Sequence, residues 1–328
     1  MRISSWLGAN RARSSTASRV TTIATLLGVL SPFTSVWAQS CEGDVQPIGS
    51  GSVRQNALVI PNGGIALFAK MNINLDGYGR AYHRDNFQGG GVIHLCNAAE
   101  VFLPDGTSYQ GSESNPTCTG KFMKDYQRIR EAKWTDVTVG VIRWFGVLGT
   151  GSATIGGKTV NGVVPVEQSD GSGFYVSPTT LVDNRITDIK DQRRYIDALS
   201  VPSAVVRGSP ALAKLGVVQG TLGVAIHRSK GIAVPFIVGD AGPRIGEGSA
   251  ALARLVSGHP LVDSLTLKTR GLGQVDEPAV LWMFFGGPKL APPYEGARVR
   301  AEAQNAFVTW GGESRLKSCL ASSKVPVN

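Results

Sequence analysis

The stretch Gly231-Ile-Ala-Val-Pro-Phe-Ile-Val-Gly-Asp240-Ala-Gly-Pro-Arg244-Ile-Gly-Glu247-Gly-Ser249-Ala-Ala-Leu-Ala-Arg254 carries the most structural information in this chain. It opens on an apolar run, Ile232 to Val238, rich in the branched and aromatic residues that suit a pleated, half-buried surface, so a strand is expected there. Gly239, Gly242, Pro243 and Gly246 then interrupt the pattern and predict a turn. Ser249 is placed to cap a helix over Ala250 to Val256, with Leu252 and Val256 on one face. Two acids, Asp240 and Glu247, bracket the turn. Glycine lets a ligand approach the backbone, and connections carry function more often than element interiors do. The purely structural account has Asp240 ending the strand and Glu247 favouring the positive end of the helix.

Further blocks lie upstream. Gly173-Phe-Tyr-Val-Ser-Pro-Thr-Thr-Leu181 is followed closely by Asp183, and Asp191-Gln-Arg-Arg-Tyr-Ile-Asp197 leads into Val201-Pro-Ser-Ala-Val205. Nearer the start stands Lys70-Met-Asn-Ile-Asn-Leu-Asp76-Gly77. In this order, over roughly residues 70 to 255, the blocks resemble the fungal-type chitosanases, glycoside hydrolase family 75. The resemblance implies a barrel-like sheet and endo-acting, inverting hydrolysis of chitosan, with Asp240 and Glu247 standing where that family has its catalytic carboxyls. Tyr175, Asp183, Asp76 and Arg244 are the accompanying candidates for contact with the polysaccharide. For Asp76 a structural role in an Asp-Gly turn is the stronger expectation, and Asp183 is expected to support the site.

The chain begins with the pattern of an export signal. Arg2, Arg11, Arg13 and Arg19 form a basic region without acids, an apolar run from Val20 to Val36 follows, and Val36-Trp-Ala38 supplies cleavage chemistry before Gln39. Pro32 interrupts that run, so stable membrane insertion is not expected. The mature protein is therefore expected to be a single secreted domain, residues 39–328, and to be monomeric. Its four cysteines, Cys41, Cys96, Cys118 and Cys319, all follow the signal and can form two disulfides in an oxidising compartment. Three pairings exist; Cys96 with Cys118 would close a local loop and Cys41 with Cys319 would tie the ends together. The competing metal site around His94 and Cys96 lacks a second ligand pair at zinc-like spacing, so neither metal nor cofactor is expected.

The whole chain carries 33 basic and 24 acidic residues, a formal +9. Removing the signal's four arginines leaves 29 against 24, or +5. Chitosan is itself a polycation, so only a locally acidic cleft would attract it; the overall charge suits anionic polymers better. No nucleic-acid partner is expected. Ser152-Ala-Thr-Ile-Gly-Gly-Lys-Thr159 approximates a phosphate loop but lacks its first glycine, and Gly156-Gly157 reads more simply as a hairpin turn.

The 41 glycines and many short apolar runs indicate a mainly β, α+β architecture with a few peripheral helices. A hairpin is expected over Asn56 to Lys70 around Pro61-Asn-Gly-Gly64, with a separate strand over Asn72 to Leu75. Further strands are expected at Val92–Leu95, Glu100–Leu103, Val137–Leu148 and Pro278–Phe285, and a strand–turn–strand over Gly216 to Ile226. Gly111 to Gly120, containing Asn115-Pro-Thr117, reads as a loop. Helical spacing marks Lys121–Trp134 and Arg298–Trp310, and Leu316, Cys319 and Leu320 suggest a last packed segment.

If the two acids act as a pair, one must be protonated and the other ionised. The local sequence leans weakly to Asp240 as acid and Glu247 as base, with the reverse open. Two other classes stand beside this one: a non-catalytic secreted glycan- or wall-binding protein, and a peptidoglycan-directed glycosidase.

Overall fold

A computed structural model describes residues 40–328 apart from 50, 62–63, 112–117 and 119, so the expected export signal and the Asn115-Pro-Thr117 segment lie outside the described residues. Three strands open the chain: β1 (Asp44–Pro47), β2 (Asn56–Ile60) and β3 (Gly64–Asn74), each antiparallel to the next. The expected hairpin is the β2–β3 pair. The expected separate strand over Asn72 to Leu75 is instead the last three residues of the eleven-residue β3, with Leu75 just beyond its end.

Between β3 and the next barrel strand lies a long excursion. It holds β4 (Ala99–Phe102), β5 (Ser108–Gln110), α1 (Lys121–Glu131) and β6 (Val141–Trp144), with β4 central in a three-stranded antiparallel sheet. The hairpin β7 (Gly149–Ile155) and β8 (Lys158–Pro165) turns at Gly156-Gly157, as expected. The apolar run at 92–95 is not a strand: it enters a 3-10 turn over Leu95–Ala98 capped by His94. Phe122, Tyr126 and Ile129 of α1 pack with Val101, Ile142, Trp144 and Tyr175 in the core of this excursion.

The chain then completes the barrel with β9 (Ser203–Val206), the short helix α2 (Pro210–Lys214), β10 (Leu222–His227), β11 (Ala233–Ala241) and β12 (Glu247–Ser249). After α3 (Ala250–Val256), β13 (Val275–Phe284) closes it. The order β3-β12-β9-β11-β10-β13, with β13 paired back to β3, makes a closed six-stranded barrel. The strand–turn–strand expected over Gly216 to Ile226 reduces to a turn leading into β10. Helices α4 (Gly296–Trp310) and α5 (Gly312–Ala321) end the fold.

Alternation along the strands sorts the side chains into two layers. Leu67, Ala69 and Met71 of β3, Ala204 and Val206 of β9, and Val280, Trp282 and Phe284 of β13 fill the lumen. Their neighbours Ala66, Phe68, Leu281 and Met283 face outward, where Phe307, Trp310 and Leu316 of α4 and α5 cover them. Burial on both faces is why Pro278 to Phe285 reads as one unbroken apolar run. The Cys41–Cys319 disulfide sits in the outer layer and Cys96–Cys118 pins the excursion, so of the three pairings the one with a local loop and an end-to-end tie is present. Two disulfides fit an oxidising compartment. Among the described residues no helix is long and apolar enough to cross a membrane.

Candidate functional site

Strand β9 is only four residues long, but it places the two acids of the glycine-rich stretch. It runs between β11, parallel to it, and β12, antiparallel to it. Asp240 on β11 and Glu247 on β12 both stand opposite Val205. Residues in one lateral row of a sheet point to one face. Ala204 and Val206 point into the lumen, so Val205 and the acids on either side of it face outward. Two strand spacings put the Cα atoms of Asp240 and Glu247 about 10 Å apart.

A bulge sets this parity. Val238 pairs with Ala204 and Asp240 with Val205, leaving Gly239 as an extra residue on β11. Without it, Asp240 would fall out of phase with Val205. Glycine is required there by close approach, since a Cβ would come within 2.8 Å of Ser203 Cβ. The Gly239 carbonyl accepts the Leu181 N–H at 3.0 Å, which anchors the 173–183 block against the bulge.

That block holds Asp240. Its Oδ1 accepts the N–H and the hydroxyl of Thr180, each at 2.8 Å, and its own neighbour's N–H, from Ala241, at 2.8 Å. Its Oδ2 takes the Asn74 side-chain amide at 3.3 Å. Asp240 is only 9 % exposed. Glu247 is half-buried and belongs to a short strand rather than to the helix start expected from the sequence; Ser249 provides the cap of α3, its hydroxyl accepting from Leu252 N–H at 3.2 Å. The Glu247 carboxyl leans toward the β11 side, with Oε2 3.8 Å from the point where a Cβ on Gly242 would stand.

A third acid joins them. Asp76 occupies the expected turn, with the Tyr78 N–H donating to the Leu75 carbonyl at 3.0 Å. Gly77 has φ +92°, and a Cβ there would meet the Ile196 carbonyl oxygen at 1.8 Å, so the turn admits only glycine. Asn74 Oδ1 accepts the Asp76 N–H at 2.6 Å while the Asn74 amide reaches Asp240. The Asp76 carboxyl is held well above the ordinary carboxylate pKa, first by burial, then by the negative charges of Asp240 and Glu247. It still shows some surface to solvent, so its desolvation comes from protein packed round it rather than full enclosure. Asp76 is thus a turn residue and a member of the acid group at once.

The blocks that carried the resemblance meet here. Ser177 Oγ accepts the Gly77 N–H at 3.2 Å, and the Gln192 amide donates to the carbonyls of Gly77 and Ser177 at 3.1 and 2.8 Å. Asn74 and Thr180, which hold Asp240, were not singled out from sequence. Both lie inside quoted blocks, but nothing in a linear pattern says that they share a partner.

The remaining candidates fall elsewhere. The expectation for Tyr175 is corrected: it is 1 % exposed, its hydroxyl is bonded to that of Tyr126 at 2.7 Å, and it packs beside Trp144, so it has no surface for a ligand. Asp183 is clamped by Arg185, with Oδ2 2.6 Å from Nη2, and that hydrogen bond pulls its pKa below the usual range. It lines a separate cavity of about 290 Å³ with Arg185, Arg194, Tyr294 and Glu295. Arg244 is exposed in the turn between the two acids. Of the four tryptophans among the described residues, Trp144, Trp282 and Trp310 are buried core residues, and Trp134 is half-buried against Tyr126 and Trp144.

Among the described residues, the one group of three with metal-binding side chains is His94, Cys96 and Cys118. Both sulfurs are joined in the disulfide, and His94 Nδ1 accepts the Cys96 N–H at 3.2 Å, so these atoms are already engaged with one another. Comparison with models of known families and with curated proteins finds no match to this chain.

Proposed function

We propose that this protein is a secreted, endo-acting glycoside hydrolase that cleaves β-1,4 linkages in chitosan or a related amino-sugar polymer, with Asp240 and Glu247 as its catalytic carboxyls. One observation carries the proposal: the two acids flank Val205 on the outward face of the barrel, one strand spacing to either side. Carboxyl groups reaching from Cα atoms so spaced can stand about 6.5–9.5 Å apart, which leaves room for a water between one of them and the sugar. Inverting hydrolysis needs a carboxyl that protonates the glycosidic oxygen and a carboxylate that draws a proton from the attacking water, and the acids gathered on this face can supply both.

The uneven charge of the molecule supports a cationic substrate. The mature chain is net positive, yet Asp76, Asp240 and Glu247 lie together among the uncharged Asn72, Asn74 and Thr180. A local negative field of this kind attracts a protonated amino sugar where the overall charge would repel it. The overall charge is what favours the second reading, hydrolysis of an anionic amino-sugar polymer such as peptidoglycan.

Reducing-end release from chitosan, chitin and peptidoglycan, measured side by side, tests both. Asp240→Asn and Glu247→Gln keep the shape of each side chain and remove its proton transfer, so each should lower turnover by roughly a hundredfold or more with an unchanged melting curve. Full activity in both variants would rule out the mechanism. A wild type inactive on all three polymers would point to a glycan-binding protein instead.

A further inference from the structure

Inverting hydrolysis needs a carboxyl that still carries its proton at working pH, and Asp240 is poorly placed to be it. Three donors converge on its Oδ1 and a fourth on Oδ2, so both oxygens act as acceptors. An ionised carboxylate is acceptor-only, whereas a protonated one must spend one oxygen as a donor. Asp76 is in the opposite situation. Its carboxyl has no hydrogen-bond partner among the described residues, although the backbone around it is fixed at Asp76 N–H, Gly77 N–H and the Gly77 carbonyl.

Resting on the hydrolase reading above, we propose that Asp76 is the third catalytic carboxyl of the site and the one that protonates the leaving glycosidic oxygen. Its turn is tied to the pair by Asn74, which bonds the Asp76 backbone through Oδ1 and the Asp240 carboxylate through Nδ2. Asn72 and Asn74 of β3 lie in register with Glu247 and Ser249 of β12, so the end of β3 delivers Asp76 beside the outward row of acids. Burial first, and then the negative charge of Asp240 and Glu247 beside it, favour the neutral carboxyl there.

The proton count closes. The Asp76 O–H proton passes to the glycosidic oxygen as the bond from that oxygen to the anomeric carbon breaks. Water adds to the anomeric carbon from the opposite face and gives its proton to one carboxylate of the Asp240/Glu247 pair. The other stays ionised and faces the positive charge developing on the sugar ring. One water is consumed, and the site resets when the pair loses its proton to solvent and Asp76 regains one.

A leaving group that needs no protonation separates this role from a structural one. The measurement is turnover of wild type, Asp76→Asn and Asp76→Glu on polymer and on an amino-sugar oligosaccharide carrying a dinitrophenyl leaving group, with a thermal melt for each. Asp76→Asn should lose roughly a hundredfold or more on polymer but less than about tenfold on the aryl glycoside, since general acid catalysis of this size is dispensable only there. Its polymer activity should also lose the alkaline limb of the pH profile, and Asp76→Glu should recover part of the polymer rate. Asp76→Asn at full polymer rate, or equal losses on both substrates, would overturn the assignment while leaving an active wild type as a hydrolase. An inactive wild type would overturn the hydrolase reading itself, and this assignment with it.

Discussion

At Asp76 the proposed chemistry and the stability of the fold pull in different directions. Its folded-state pKa lies above the value of about 3.9 expected for an unfolded aspartate. Between those two values the native chain holds a proton that the unfolded chain has released, so stability falls as pH rises through the window. Above the folded pKa the cost is fully present; below the unfolded pKa it vanishes. Asp76→Asn removes it. The variant should therefore melt higher than wild type at neutral pH, and the gap should close as pH falls toward 4 and below. Urea titrations across that range check the sign, and a gap that widens in acid would contradict it. Thr180 offers a second test at this scale, because its hydroxyl is one of the donors fixing Asp240. Thr180→Val keeps the backbone N–H bond and loses the other. A hydrogen bond to a charged group contributes about 1.5–3 kcal/mol to stability, so the variant should lose roughly that much in denaturant unfolding, and turnover on the active polymer should fall as the carboxylate loosens.

At the scale of elements, the glycine-rich stretch works because two irregularities lie side by side. The bulge at Gly239 turns Asp240 outward, and the short strand β12 carries Glu247 into register with the same Val205 before α3 begins. Ser249 joins the two. Its hydroxyl accepts from the N–H of Leu252 and of Ser203 and donates to the Val201 carbonyl, so it caps α3 and ties β12 to β9 in a fully buried position. Ser249→Ala orphans two buried donors, each costing about 1–3 kcal/mol. The expected result is a loss of roughly 2–6 kcal/mol of stability, read from a lowered denaturant midpoint. Gly239→Ala forces a Cβ against Ser203, and its signature should be a loss of activity larger than its loss of stability. Matched losses would mean that the bulge serves only the fold.

For the molecule as a whole, the two disulfides do unequal work. Cys41–Cys319 closes a loop of 278 residues and pins the first strand region to α5 over the outer face of the barrel. Cys96–Cys118 closes 22. In the chain-entropy account the first restrains the unfolded chain by about 5–6 kcal/mol and the second by about 3. Replacing Cys41 and Cys319 together by serine should thus destabilise the protein by roughly 2 kcal/mol more than the same change at Cys96 and Cys118. Denaturant unfolding of the two double variants measures the difference. The C-terminus contributes to the same closure: Phe68 of β3 donates to the Pro326 carbonyl and accepts the Asn328 N–H, and this segment runs beside β3 between the stretches that pair with β2 and β12.

Local chemistry alone determined much of this. Apolar runs bounded by glycine specified β11 and β13, the Gly-Gly pair specified the β7–β8 hairpin, Ser249 specified the start of α3, and 3.6-residue spacing specified α1 and α4. These signals are short-ranged, so they survive in the linear order. They failed where a run was short and its partners distant, as at 92–95, where His94 caps a 3-10 turn. Tyr175 shows the same limit, since a resembling block marks a residue without saying which way it faces, and packing turned this one into the core. Only the tertiary structure decided that Asp76, 164 positions before Asp240 in a separate block, stands with it and Glu247. Parity along β11, the register of β12 on both β9 and β3, and the turn at Gly77 together set that grouping. Each depends on pairing between strands far apart in sequence, and strand pairing is a property of the closed barrel that no single segment contains.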